Sequence, residues 1–197
     1  MYNNFFLNNN NYLDNKVIFL IANNPSIKNI DKIKNCVVDD NSVVIRFNGD
    51  PKKLLAKIFV NRCDVMFYRS NKNGDFNNFN KNSLNRYKHT VFTKVDNTKQ
   101  LDINNSFKKT LNKLELENYN FSYLSNNNSK LSPTTGFGVL ENIIDKVNYS
   151  KLVLIGFTNL TRLNVKKNEK YGCHSLYNEN QYFQNYIIKN YHNIETI

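Results

Sequence analysis

Leu131 to Phe157 reads LSPTTGFGVLENIIDKVNYSKLVLIGF, and this stretch decides the fold class. Ser132-Pro133-Thr134-Thr135-Gly136 stops any strand before it, and from Gly136 onward Leu140, Ile143, Ile144 and Val147 recur at helical spacing. Asn148, Tyr149 and Ser150 end that helix. Leu152 to Ile155 is then a short apolar run closed by Gly156, the pattern of a strand buried in a parallel sheet. Loop, helix, turn and buried strand make half of a doubly wound α/β unit. The Thr-Thr-Gly loop at the helix start offers unpaired N–H groups to an anion. The alternative is a helix cap whose glycine is there for steric reasons, and the stretch alone fits both.

Upstream, Lys16 to Ala22 carries a Val-Ile-Phe-Leu-Ile run that predicts a central strand, broken by the turn-forming residues Asn23-Asn24-Pro25-Ser26. Those amides stand at the carboxyl end of the strand, the edge at which open α/β sheets bind ligands. Ile27 to Val38 is expected to cross over as an irregular or short helical segment, and Val43 to Asn48 to return as a second strand. Pro51 suits the first turn of a helix from Lys52 to about Val60, and Asp64 to Tyr68 predicts a third strand. Ser70 to Lys88 has the composition of a long loop, Thr90 to Val95 and Phe121 to Leu124 of strands, and Asn104 to Leu114 of a helix. Downstream come a basic loop from Thr158 to Lys170 and a helix from Ser175 to about Tyr191, with Tyr182, Phe183, Tyr186 and Ile187 at buried spacing. Residues 1–15 are expected to pack loosely, and residues 16–197 to form a single α/β domain.

A chain of 197 residues can bury a proper core without disulfides or a structural metal. No apolar run reaches the roughly 18 residues of a membrane span, and the N-terminus lacks a basic region followed by an apolar one. Cys36, Cys63 and Cys173 have neither CxxC nor Cys/His ligand spacing, which fits a reducing, cytoplasmic setting. The net charge of +11 is spread along the chain and suits any polyanion: nucleotide, nucleic acid or an anionic membrane touched peripherally. The abundance of Asn and Lys carries the imprint of an AT-rich genome, so those residue types signal little by themselves.

Few groups can carry chemistry. Of the three histidines, His89, His174 and His192, only His174 follows a buried strand and a basic loop, with Glu179 five positions on to orient its ring or its helix. There is no DxD pair, and Asp39-Asp40 falls in a turn, so no divalent metal holding a diphosphate is indicated. Walker, GxGxxG and GxSxG patterns are missing as well.

Three segments resemble the sialylmotifs of the sialyltransferases, the glycosyltransferase family 29 enzymes and their bacterial relatives. Ala22-Asn23-Asn24-Pro25-Ser26 followed by Val44-Ile45-Arg46-Phe47-Asn48 resembles the long motif. Pro133-Thr134-Thr135-Gly136-Phe137 through Ile155-Gly156-Phe157 resembles the short motif, and His174 with Glu179 the His-x4-Glu motif. The resemblance implies a Rossmann-like, variant GT-A domain with a mostly parallel sheet flanked by helices. It also implies inverting, metal-independent transfer of sialic acid or a related nonulosonic sugar from a CMP-sugar donor to a glycan or lipid-linked glycan, with no cofactor.

On that resemblance Asn23, Asn24, Ser26, Asn48, Thr134, Thr135, Gly136 and Gly156 contact the donor, Tyr171 stands nearest to a phosphate-binding tyrosine, and His174 is the general base, seconded by Glu179. Ala22 stands where the family usually has Gly, and no Cys falls in the short motif, where animal members place one end of a disulfide. Two other readings remain open: a nucleic-acid-binding protein using basic charge and aromatic stacking, and a nucleotide-binding relative without catalysis.

Overall fold

The computed structural model describes residues 5–22, 33, 35–47, 59, 62–70, 87–94, 115–117, 134–166, 170–171 and 174–197. At its centre is β1 (Val17–Ile21), hydrogen-bonded in parallel to β2 (Ser42–Phe47) on one side and to β6 (Lys151–Ile155) on the other. Phe19 is level with Val44 across one ladder and with Val153 across the other. Beyond β2 lie β3 (Val65–Ser70), β4 (His89–Lys94) and β5 (Glu115–Glu117), and beyond β6 lies β9 (Ile194–Thr196). The sheet order is β5-β4-β3-β2-β1-β6-β9, parallel at every pairing. The protein is therefore of the α/β class, with helices packed on the sheet.

Alternation along each strand feeds two cores. Ile18, Leu20, Val43, Ile45, Phe47, Val65, Phe67, Leu152 and Leu154 join one core, while Phe19, Ile21, Val44, Val153 and Ile155 join the other. Because both faces are covered, these strands read as near-continuous apolar runs, interrupted in β2 by the buried Arg46, which is why they are legible in the sequence. The first core is roofed by α3 (Thr135–Lys146), whose Phe137, Val139, Leu140 and Ile143 are buried. Burial of such side chains contributes about 1.5–3 kcal/mol each. The second core takes Ile33 and, at its margin, Cys36, Val38, Phe59 and Ile197.

Several elements depart from the sequence reading. Residues 1–15, expected to be loosely packed, form α1 (Phe5–Asn8) and α2 (Asn10–Leu13), and Phe5, Phe6 and Leu13 are fully buried. Phe6 stacks on Phe67 at 5.9 Å, and Phe5 meets the same ring edge-on at 5.8 Å. An aromatic pair in a polar segment is enough to dock it when a sheet face stands open. The basic segment after β6 opens with a short helix, α4 (Thr158–Thr161). It is followed by the two-residue strands β7 (Lys170–Tyr171) and β8 (His174–Ser175), which pair antiparallel.

The last helix begins as α5 (Leu176–Tyr182), widens into a π-helical turn over Phe183–Ile187 and closes as α6 (Ile188–Asn190). Phe183 and Ile187 are buried as expected, but Tyr186 is 44 % exposed and stacks on Tyr182 at 5.0 Å. The wider turn rotates the apolar stripe, so one of the four residues at regular helical spacing falls outside. The C-terminal β9 and the short β5 were not foreseen. Most of the helix over 52–60, of the loop over 70–88 and of the 27–38 crossover, together with the helix over 104–114 and the strand over 121–124, lie outside the described residues.

At the amino edge of the sheet Asp64 ties β2 to β3. Its Oδ2 accepts from the Val44 N–H at 2.9 Å and from Arg62 Nε at 3.0 Å, and Lys88 Nζ lies 3.7 Å from Oδ1. Arg62 also donates to the carbonyls of Asp39 at 2.8 Å and Ser42 at 2.7 Å.

Candidate functional site at the carboxyl edge of the sheet

The chain leaves β1 toward β2 and leaves β6 toward β9, so the connections at these adjacent carboxyl ends run in opposite directions. Such a switch point opens a crevice, and it is where α/β sheets bind ligands. The start of α3 lies over it. A Cβ on Gly136 would stand 3.0 Å from Phe157 Cε1 and 3.8 Å from Phe47 Cε2. Phe47 ends β2 and Phe157 follows β6, the two strands that flank β1. A side chain here would press the Phe157 ring, which would have to give by a few tenths of an ångström, and would make only ordinary contact with Phe47.

Thr134 caps α3 in extended geometry, its Oγ1 accepting from the Phe137 N–H at 3.3 Å. Its own donors go to a partner that was expected to serve His174. Glu179 is fully buried, and its Oε1 accepts from the Thr134 N–H at 2.6 Å. Its Oε2 accepts from Thr134 Oγ1 at 3.0 Å and from Asn159 Nδ2 at 3.4 Å. A carboxylate at the positive end of a helix dipole is well placed. Thr134 therefore does not offer free donors to a ligand. Among the described residues, no acceptor meets the N–H groups of Thr135 and Gly136.

Gly156, also read as a donor contact, has φ of 76°, a left-handed conformation that favours glycine, and donates its N–H to the Ile197 carbonyl at 3.0 Å. It turns the chain out of β6 toward the crevice. Asn23, Asn24, Ser26 and Asn48 lie outside the described residues. They continue the sequence from Ala22 and Phe47, at the carboxyl ends of β1 and β2. Tyr171 and His174 are partners in the β7–β8 ladder, and α5 begins two residues after His174. Because Glu179 of α5 reaches the N-cap of α3, this hairpin enters at the carboxyl side of the sheet.

Sequence reasoning missed Asn159 and Asn180. Asn180 is buried, and its Nδ2 reaches the carbonyls of Asn159 and Leu160 at 2.9 Å and of Arg162 at 3.0 Å. Gln184 Nε2 adds a 2.6 Å bond to the Leu160 carbonyl. In a chain this rich in Asn, the residue type gave no signal. Only the i, i+4 spacing of Asn180 and Gln184 on a helix pointed to a shared face. Among the described residues, no three His, Cys, Asp or Glu side chains gather into a metal-holding group, and no helix is long and apolar enough to cross a membrane.

Burial pushes the Glu179 carboxyl up from the usual 4.5 to about 7, against the opposing donors of Thr134 and Asn159. Glu141, on the second turn of α3, is also pushed up to about 7, first by burial and then by the charges of Asp145 and Glu179. Both groups hold protons in the folded state that they lose in the unfolded one. Their contribution to stability is full below about 4.5 and is lost as pH rises through about 7. The melting temperature is expected to be higher at pH 5.5 than at pH 8. Glu179→Gln should flatten that slope, and a profile equally steep in the variant would remove Glu179 from the account. No protein-family model, curated protein or solved structure matches this chain.

Proposed function

We propose that this chain is an inverting, metal-independent glycosyltransferase on a Rossmann-like, variant GT-A domain. It moves sialic acid or a related nonulosonic sugar from a CMP-activated donor to a hydroxyl of a glycan or lipid-linked glycan, in a reducing, cytoplasmic setting. The observation that carries the reading is the start of α3 against Phe47 and Phe157, at the carboxyl ends of the strands that flank β1, with no acceptor among the described residues for the Thr135 and Gly136 N–H groups. The segment resembling the short motif opens α3 and the His-x4-Glu segment leads into α5, while the two pieces resembling the long motif follow β1 and β2 in the sequence.

The chemistry suits these groups. CMP carries one phosphate, so backbone N–H groups and side-chain amides can stabilise the charge of the leaving group without a carboxylate-held metal. As the acceptor oxygen bonds to the anomeric carbon, the sugar–phosphate bond breaks and its electron pair leaves with CMP. His174 takes the acceptor proton.

CMP is expected to raise the melting temperature, without added magnesium or manganese, while UDP does not, since a ligand that binds only the native state stabilises it. Equal stabilisation by UDP with a metal requirement, or stabilisation by single-stranded RNA alone, would count against the reading.

A further inference from the structure

We propose that Glu179 and Asn180 are positioning residues: side by side on α5, they fix the start of α3 and the carbonyl end of α4 relative to each other. The functional part of this inference rests on the donor reading above. Glu179 holds the N-cap of α3 and also accepts from Asn159 Nδ2 of α4 at 3.4 Å. Asn180 holds the carbonyl end of α4, the short helix that follows β6. The start of α3 lies against Phe157, the residue from which α4 begins, so the bonded groups meet beside the carboxyl end of β6.

Stability alone does not call for this arrangement. A buried carboxylate contributes little net stability compared with a well-packed apolar side chain, because its desolvation offsets its hydrogen bonds. Directional bonds do what apolar contacts cannot, since they fix the position of a loop along and across the helix that holds it. Thr134 has its N–H and hydroxyl committed to Glu179, which leaves the N–H groups of Thr135 and Gly136 as the donors at the start of α3.

The same helix follows His174 by two residues. One rigid element thereby sets the distance between the proposed base and the groups that receive the leaving phosphate. A displacement of about 1 Å in such a distance can cost roughly 10²-fold in rate.

Two measurements test the clamp, one of them without any ligand. In native-state amide exchange, Glu179→Ala should speed exchange at residues 134, 137 and 138, whose N–H groups are bonded to Glu179 or to Thr134, while Glu179→Gln, which keeps the acceptor for the Thr134 N–H, stays close to the parent. In CMP titration calorimetry, Glu179→Ala should weaken binding about tenfold at unchanged stoichiometry, and Glu179→Gln should recover most of the loss. A merely structural role would lower the stoichiometry and leave the affinity of the folded fraction alone. Asn180→Ala should speed exchange at residues 160–162 instead.

If the parent does not bind CMP, the donor reading falls and exchange alone decides the clamp. Parent-like exchange in Glu179→Ala overturns it in either case. Should Glu179→Ala fail to fold, the clamp stands only if Glu179→Gln folds with parent-like exchange at residues 134, 137 and 138 and Asn180→Ala speeds residues 160–162. Failure of either sinks it.

Discussion

His174→Ala is expected to lose about 10²- to 10⁴-fold in turnover, the usual worth of a general base, while CMP affinity stays close to that of the parent. The histidines separate by their ends of the sheet. His89 opens β4 at the amino edge, its ring against Phe5 at 5.4 Å and Tyr12 at 5.0 Å. His192 is exposed just ahead of β9, at the same edge. Neither can reach an acceptor held at the carboxyl ends of β1 and β6. His174 is in β8, immediately before the helix whose Glu179 meets the start of α3. Single-turnover assays with a CMP-sugar and an acceptor should therefore show a deep loss for His174→Ala and mild effects for His89→Ala and His192→Ala. Parent-rate turnover by His174→Ala would move the base elsewhere. The contrast with Glu179→Ala is informative, because loss of a base spares binding and loss of the clamp does not.

Asp64→Ala is expected to destabilise the fold by about 3 kcal/mol without touching the crevice. The carboxylate is buried at the amino edge and serves the Val44 N–H and the Arg62 guanidinium at once. Its removal leaves a strand N–H without its acceptor and a half-buried cation without its counter-charge. At roughly 2–4 °C per kcal/mol for a chain of this size, the melting temperature should fall by about 6–12 °C. A fall of under about 2 °C would mean that water or Lys88 takes over the role. CMP binding at low temperature should survive, which separates this edge of the sheet from the other.

The sheet centre was legible for a physical reason. Strands covered on both faces carry mostly apolar side chains, so Val17–Ile21, Val43–Ile45 and Leu152–Ile155 stand out even in a chain dominated by Asn and Lys. The helix from Thr135 announced itself through its cap and period. β9 did not, because a three-residue edge strand needs only alternate apolar positions, and Ile194-Glu195-Thr196 looks like a frayed end. Phe5 and Phe6 were judged by the polar residues around them, whereas an open patch of sheet over Phe67 decided their fate. At the candidate site, Thr134 to Gly136 and Glu179 were found by motif spacing, but not that Glu179 binds Thr134. Contact between positions 134 and 179 is tertiary information that no local pattern encodes. Asn159 and Asn180 were hidden by composition.

The ladder that seats Val17 against Lys151 has a consequence for biosynthesis. The central strand emerges early from the ribosome and finds β2 soon after, yet its other edge waits until residue 155 has been added. Through that interval Val17 to Ile21 presents a row of unpaired peptide groups on an apolar strand, the template on which nascent chains stick to one another. Long-range parallel pairing is also slow to form once the residues are present. Expression at reduced temperature or with a holdase should therefore raise the soluble yield of this chain more than any change to its surface charge.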